Sequence, residues 1–189
     1  RAATLDLTTA AGRDRLRALA ARADVLLESF TPGYLAGLGL DHAALARLNP
    51  RLVSVSLTPY GSHGPKAAWP ASDLTALAAS GVLYITGDAD RAPVRLMVPQ
   101  AGLHAAAEGA AATLIALAAR RQDGLGQHVD VSAQTATMLG TQYFALSHAW
   151  GTPQAERVAG GMKAGPVVLK FVNPARDGHV SVTFFFGES

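Results

Sequence analysis

Cysteine is absent from this 189-residue chain, which removes disulfides, thiolate zinc sites and cysteine nucleophiles. Aromatic residues are scarce at 6% and the formal net charge is only +2, so the basic stripe with interleaved aromatics that nucleic-acid binding needs is missing. The six histidines form neither an HxH nor an HExxH pair, and metal ligation has no motif behind it. No run of 18 or more uncharged apolar residues is present that could cross a bilayer; the longest apolar segment, Gly109 to Ala119, is short and alanine-rich. No signal peptide is visible, and a cytoplasmic location is expected. The chain opens on Arg1 and stops just after the apolar run Phe184-Phe185-Phe186, so both ends read as cut.

Hydrophobic residues reach 49% against 16% charged, a balance that suits a buried globular core and not disorder. The length allows one core, or a large domain and part of a second. Ala3 to Leu7 reads as a short strand. Gly12 to Ala23 carries Leu16, Leu19, Ala20 and Ala23 at helical spacing. Asp24-Val25-Leu26-Leu27 follows as a buried strand, which completes a βαβ unit and implies a parallel sheet. Asp41 is the expected N-cap of a short helix ending at Asn49-Pro50. Leu52 to Leu57 is a third strand, with Ser54 and Ser56 on one face and Val53 and Val55 on the other.

Helices are expected from Asp73 to Ser80, from Leu103 to Arg121 and from Ala133 to Ala149, with a strand at His128 to Ser132. The long helix places Leu103, Ala107, Ala110, Leu114 and Leu117 on one side. Beyond Gly151 the period changes. Val167 to Val172 and His179 to Phe185 read as strands joined by the turn Asn173–Gly178. The expected architecture is α/β: a Rossmann-like parallel sheet with flanking helices over residues 1–150, then a linker and the start of a smaller second domain over 151–189.

Motifs that suggest chemistry have plainer readings. Gly124-Leu125-Gly126 begins like a dinucleotide fingerprint, yet Val129 replaces the third glycine and the segment runs from helix to strand, the reverse of the required order. It reads as a turn. His128, Asp130 and Ser132 face the same way along one strand, but same-face neighbours lie roughly 6.5–7 Å apart, too far for a hydrogen-bonded triad. They read as a polar face opposite Val129 and Val131. Asp88 and Asp90 read as solvated loop acids. The residues alone thus reach an α/β domain without a self-evident catalytic group.

A longer pattern goes further. Leu5-Asp6-Leu7, Ala23-Asp24-Val25-Leu26-Leu27-Glu28-Ser29-Phe30-Thr31-Pro32-Gly33, Leu38-Gly39-Leu40 and Asn49-Pro50-Arg51-Leu52-Val53 come in this order. Tyr60-Gly61, Gly64-Pro65, Ala71-Ser72-Asp73, Gly124–Ser132 and Asp177–Ser181 follow. Together they resemble the CoA-transferase family III, the formyl-CoA and carnitine CoA-transferase type. The resemblance implies an acyl-CoA thioester and a carboxylic acid as substrates, with no covalently bound cofactor and no metal. It also implies an intertwined dimer with itself or with another family III chain, and neither nucleic acid nor membrane as partner.

In that family an aspartate just after the "VDVS" strand attacks the thioester. A mixed anhydride and then an aspartyl-CoA thioester form, because a carboxylate can carry an acyl group and leave again. The matching position here is Thr135, a poor nucleophile without a base. Positions that help hold CoA match Leu5, Thr8, Ser29, Phe30, Pro32, Gly33, Gly37 and Leu38, with the family's polar groups replaced at Thr8, Ser29 and Gly37. The family's glycine-rich active-site loop matches the segment with Gly160, Gly161 and Gly165. The racemase branch places its two bases at positions matching Ser72 and Thr135, so that activity is not expected. Three readings stand: a transferase whose aspartate comes from a partner subunit or fused half, a non-catalytic structural or CoA-binding half of a pair, and an enzyme using other groups such as Asp130 or Gln134.

Overall fold

In this computed structural model, which describes residues 2–142, 156–164 and 167–182, three strands form a parallel sheet. They are β1 (Val25–Glu28), β2 (Val53–Thr58) and β3 (His128–Ser132), in the spatial order β1-β2-β3. Register pairs Val25 with Val53 on one side of β2 and Val55 with Val129 on the other. Parallel neighbours require crossovers. Helices α2 (Tyr34–Gly37) and α3 (His42–Ala46) carry the chain from β1 to β2, and α4 (Asp73–Ala79) and α5 (Gln100–Asp123) carry it from β2 to β3. Helix α1 (Ala10–Ala20) precedes the sheet and α6 (Ala133–Leu139) follows it. The α/β architecture is the expected one.

Each crossover is held by few polar contacts. Asp41 accepts the Ala44 N–H at 2.7 Å and starts α3 as expected. Asn49 Nδ2 donates to the carbonyls of Ala20 and Ala23, satisfying orphan acceptors where α1 ends. Ser72 and Thr75 form a reciprocal capping box on α4. Arg120 bonds the Arg51 carbonyl at 2.8 Å and Asp24 at 2.7 Å, fastening the last turns of α5 to the starts of β1 and β2.

Not every expectation holds. Ala3 to Leu7 is not a strand: Asp6 Oδ1 accepts both the N–H and the hydroxyl of Thr8, and Thr9 caps α1 at Gly12. These local bonds turn the backbone out of extended geometry. The crossover pairing with β2 therefore starts at β1, not at that segment. In α5 the face turned inward is Ala101, Ala105, Gly109 and Ala116, whereas Leu103 and Leu114 are exposed. The helix lies so close to the sheet that a Cβ on Gly109 would sit 2.7 Å from Leu57 Cδ2, and only small residues fit beneath it. By length and composition α5 could cross a membrane; its small-residue face instead packs against Val53 and Val55. Finally, the strand expected from Val167 to Val172 is two, β5 (Val167–Lys170) and β6 (Val172–Pro174), broken at Phe171.

Strand β4 (Gly161–Ala164) pairs antiparallel with β5, and β6 with β7 (His179–Ser181). Gly161, expected in a loop, is the first residue of β4, where a Cβ would meet the Leu169 carbonyl at 2.1 Å. Gly160 precedes it with φ +76°, a left-handed geometry that glycine tolerates. The last expected helix, Ala133 to Ala149, stops at Leu139 with a turn at Gly140 and Thr141; its 143–149 part, Gly165, the 183–185 part of the last strand and the boundary at 150/151 lie outside the described residues. Arg157 ties the second segment to the first by donating to the carbonyls of Tyr84, Asp88 and Arg91.

The turn Gly124-Leu125-Gly126 is a close approach, as its sequence suggested. Gly124 ends α5 with φ +78°, and a Cβ on Gly126 would lie 2.0 Å from the Leu52 carbonyl oxygen. Gly126→Ala in the full-length protein is expected to lower unfolding free energy by about 2–3 kcal/mol, because backbone must move. Gly109→Ala meets only the end of a flexible leucine and gains helix propensity, so it should stay within about 1 kcal/mol of wild type. Urea unfolding of both variants checks the contrast.

Candidate active site

Ligands of open parallel sheets bind outside the carboxyl ends of the strands. Here those ends are Ser29 after β1, Thr58-Pro59 at the end of β2, and Ala133 after β3. They meet in a cleft of about 430 Å³, whose other wall is α4 and the start of α5. Thr58 is 3% exposed and its hydroxyl has no hydrogen-bond partner. Asp73, the one carboxylate lining the cleft among the described residues, uses Oδ1 to accept the Ala101 N–H at 2.9 Å. Its Oδ2 is buried without a hydrogen bond, and the nearest cation, Arg95, lies 3.9 Å away. Two buried polar atoms are thus left open beside a mostly apolar wall, a cost that a bound group would offset.

Thr135 stands in the first turn of α6, where its N–H donates to the Ser132 cap at 3.3 Å. It is exposed, lies outside the cleft lining, and no histidine or carboxylate among the described residues accepts its hydroxyl proton. Helix α6 is braced from behind: the Gln134 N–H donates to the Pro59 carbonyl and Gln134 Nε2 to the Ala79 carbonyl. Gln134 is therefore occupied with holding α6 and is not free for chemistry.

The polar face of β3 is accounted for residue by residue. His128 Nε2 bonds Ser56 Oγ at 2.9 Å, Asp130 accepts the Ser62 N–H and hydroxyl, and Ser132 caps α6. Asp130 thereby pins the Tyr60-Gly61 turn over the strand end, and no triad forms. His42 Nδ1 bonds Ser54 Oγ at 3.1 Å and its ring stacks on His128 at 5.7 Å. These imidazoles line a second cleft, of about 440 Å³, on the α2–α3 side. Asp88 and Asp90 are held by Arg91 at 3.0 and 3.6 Å. Among the described residues no cluster of three or more histidine, aspartate or glutamate side chains could hold a metal.

Residues matched to CoA binding are not gathered into one cavity. Ser29 lines the strand-end cleft; Pro32 and Gly33 line the histidine cleft. Phe30 stacks on Tyr34 at 4.9 Å, and the Glu28 carboxylate accepts its N–H. Leu38 packs on the core of Leu40, Leu45 and Leu52. Leu5, Thr8 and Gly37 line neither cleft, and Thr8 spends its hydroxyl on Asp6. Thr58, Gly102 and the pair His42 and Ser54 were not singled out by motif. Their signal was faint: alternating hydroxyls in a strand otherwise apolar, and a glycine in the first turn of a helix.

Comparison with known proteins decides the kinship. The profile of CoA-transferase family III matches residues 1–188. The chain belongs to CoA-transferase family III. It is 40% identical over 186 residues to succinyl-CoA:(R)-benzylsuccinate CoA-transferase subunit BbsE of Thauera aromatica, covering 98% of this chain and 44% of that one. Succinate–glutarate CoA-transferase of Agrobacterium fabrum is 35% identical over 132 residues, which cover 70% of this chain and 33% of the relative. The crystal structure of a CAIB/BAIF family protein from Brucella suis superposes with a TM-score of 0.83 at 29% identity, covering 95% of this chain and 47% of that one. The chain thus spans less than half the length of these relatives.

Burial holds the His42 imidazole below the ordinary histidine range, the adjacent His128 adds to the effect, and Asp41 opposes it. The unfolded chain then binds the proton more readily than the folded one, so stability rises with pH through this window. Folded stability is expected to be level above roughly pH 6.5, the ordinary histidine value, and to fall as pH drops below it. Asp6, lowered by its Thr8 hydroxyl and N–H, acts in the carboxylate range further down. His42→Asn should flatten the slope below pH 6.5; an unchanged slope in chemical-denaturation curves from pH 5 to 8 would assign it to another group.

Proposed function

We propose that the full-length protein is a CoA-transferase moving CoA between an acyl-CoA thioester and a carboxylic acid, with its attacking aspartate contributed by a partner subunit or a fused half. The reading rests on one observation: the chain matches CoA-transferase family III over residues 1–188, and both curated relatives above are CoA-transferases by name. The Thauera relative is named as a subunit, which supports assembly with a second family III chain. The location proposed is the cytoplasm.

The reaction needs an acyl carrier that is both nucleophile and leaving group. An aspartate carboxylate attacks the thioester carbonyl and expels CoA thiolate, giving a mixed anhydride. The thiolate then attacks the aspartyl carbonyl, releases the first carboxylic acid and leaves an aspartyl-CoA thioester. The acceptor carboxylate reverses the two steps. Thr135 provides no carboxylate, and its exposed hydroxyl has no base. What this chain offers is a frame: the first turn of α6, whose dipole favours an anion, and the strand-end cleft beside it.

A second reading, a CoA-binding half without turnover, is favoured by the loss of family polar groups at Thr8, Ser29 and Gly37 together with Thr135. Isotope exchange of labelled acid into acyl-CoA separates the two. Where the aspartate comes from a partner subunit, the full-length chain alone is expected to exchange at background rate and the co-purified pair at least ~100-fold faster; where it comes from a fused half, the lone chain exchanges and truncation to residues 1–189 abolishes the rate. Thr135→Asp in a lone chain without a fused half should recover part of the rate. Exchange by residues 1–189 alone as fast as by the assembled enzyme would refute the contributed aspartate; an assembled enzyme that binds CoA but never exchanges would favour the second reading.

A further inference from the structure

The strand-end cleft carries information about which acyl groups the site takes. At about 430 Å³ it lies toward the small end of the roughly 300–1,000 Å³ seen for small-molecule pockets. That suits an acyl group and not a whole CoA molecule. Its floor and walls are chiefly apolar, with Leu57, Ala76, Ala101 and Ala105 among them. Gly102 also lines it, and a Cβ built there meets no atom within 4 Å. The space in front of this helix turn is therefore kept open by the lack of a side chain, not by a packing clash.

Charge selects as well as shape. Among the described residues Asp73 is the only ionisable side chain lining the cleft; its Oδ1 is committed to the start of α5 and its Oδ2 stays buried without a hydrogen bond. A second carboxylate seated here would face that oxygen with only Arg95, 3.9 Å from Asp73 and half exposed, to compensate. Like charges brought together in such a site disfavour the ligand. The unpartnered Thr58 hydroxyl, by contrast, can donate to or accept from a neutral polar atom.

From this arrangement we infer that the cleft receives an uncharged, largely apolar substituent of the acyl group, longer than two carbons, with Gly102 setting its depth and Asp73 rejecting a second carboxylate. The inference rests on the CoA-transferase reading and names the substrate class for that site. Specificity then follows from ordinary pocket arithmetic: filling the space penalises large groups and leaves small ones alone.

The test is self-exchange of labelled acid with its own CoA ester in the assembled full-length enzyme, for acetyl, butyryl, 3-phenylpropionyl and succinyl groups. Wild type is expected to exchange 3-phenylpropionyl faster than succinyl. Gly102→Leu should lower 3-phenylpropionyl exchange by about tenfold or more while acetyl exchange stays within about threefold. Leucine is a better helix former than glycine, and Gly102→Ala, with a smaller graded loss, covers the case of misfolding. Asp73→Asn, which keeps an acceptor for the Ala101 N–H, should raise succinyl relative to butyryl exchange by about tenfold. Equal losses for every acyl group in Gly102→Leu, or a wild-type preference for succinyl that Asp73→Asn leaves unchanged, would overturn the inference while the transferase reading stands. No exchange with any acid would sink the reading itself, and the inference with it.

Discussion

Strand β2 runs between two parallel neighbours with helices packed on the sheet, so its side chains have almost no water to turn to. Val53, Ser54, Val55, Ser56 and Thr58 are all buried. Its apolar residues meet α5, and the closeness of that contact forces glycine and alanine onto the inner face of the helix. Its hydroxyls must be satisfied from the sheet or from α3. Ser54 takes His42 and Ser56 takes His128. Only Thr58, at the carboxyl end, is left without a partner, and that end is where the cleft opens. The position of the candidate site is thus a consequence of how a central strand must satisfy its polar groups.

The same frame explains what the family resemblance leaves in this chain. Ser132 caps α6, Asp130 holds the loop over the strand end, and Gln134 braces the helix. On the proposed reading the reacting carboxylate comes from a partner subunit or fused half, and this chain contributes the frame around the first turn of α6, where Thr135 stands. The cleft beside it has features that a purely structural half has no need for: open space before Gly102 and, on Asp73, a buried carboxylate oxygen without a hydrogen bond, 3.9 Å from Arg95.

Much of this was legible in the residues. The period of the apolar positions gave β1, β2, β3 and the long helix, Asp41 announced its cap, and the glycine pair at 124 and 126 read as a turn. The failures share a physical cause, competition from contacts that sequence spacing does not reveal. Asp6 and Thr8 turned an extended run into a cap, and the closeness of α5 to the sheet put its small residues, not its leucines, inside. The cleft itself was not legible: of the positions matched to CoA binding only Ser29 lines it. Nothing in the spacing of Thr58, Asp73 and Gly102, far apart in the chain, announces that the topology brings them to one cleft. The polar face of β3 was visible, and its partners, Ser56 and Ser62, were not.

The central claim is that CoA passes through a carboxylate that this chain frames but does not supply. The most direct measurement is to trap the assembled full-length enzyme during turnover with acyl-CoA and locate the covalent CoA adduct by peptide mass spectrometry. The account predicts the adduct on an aspartate of the partner subunit or fused half, with residues 1–189 unmodified. An adduct on Thr135, Asp73 or any other residue of this segment would contradict it.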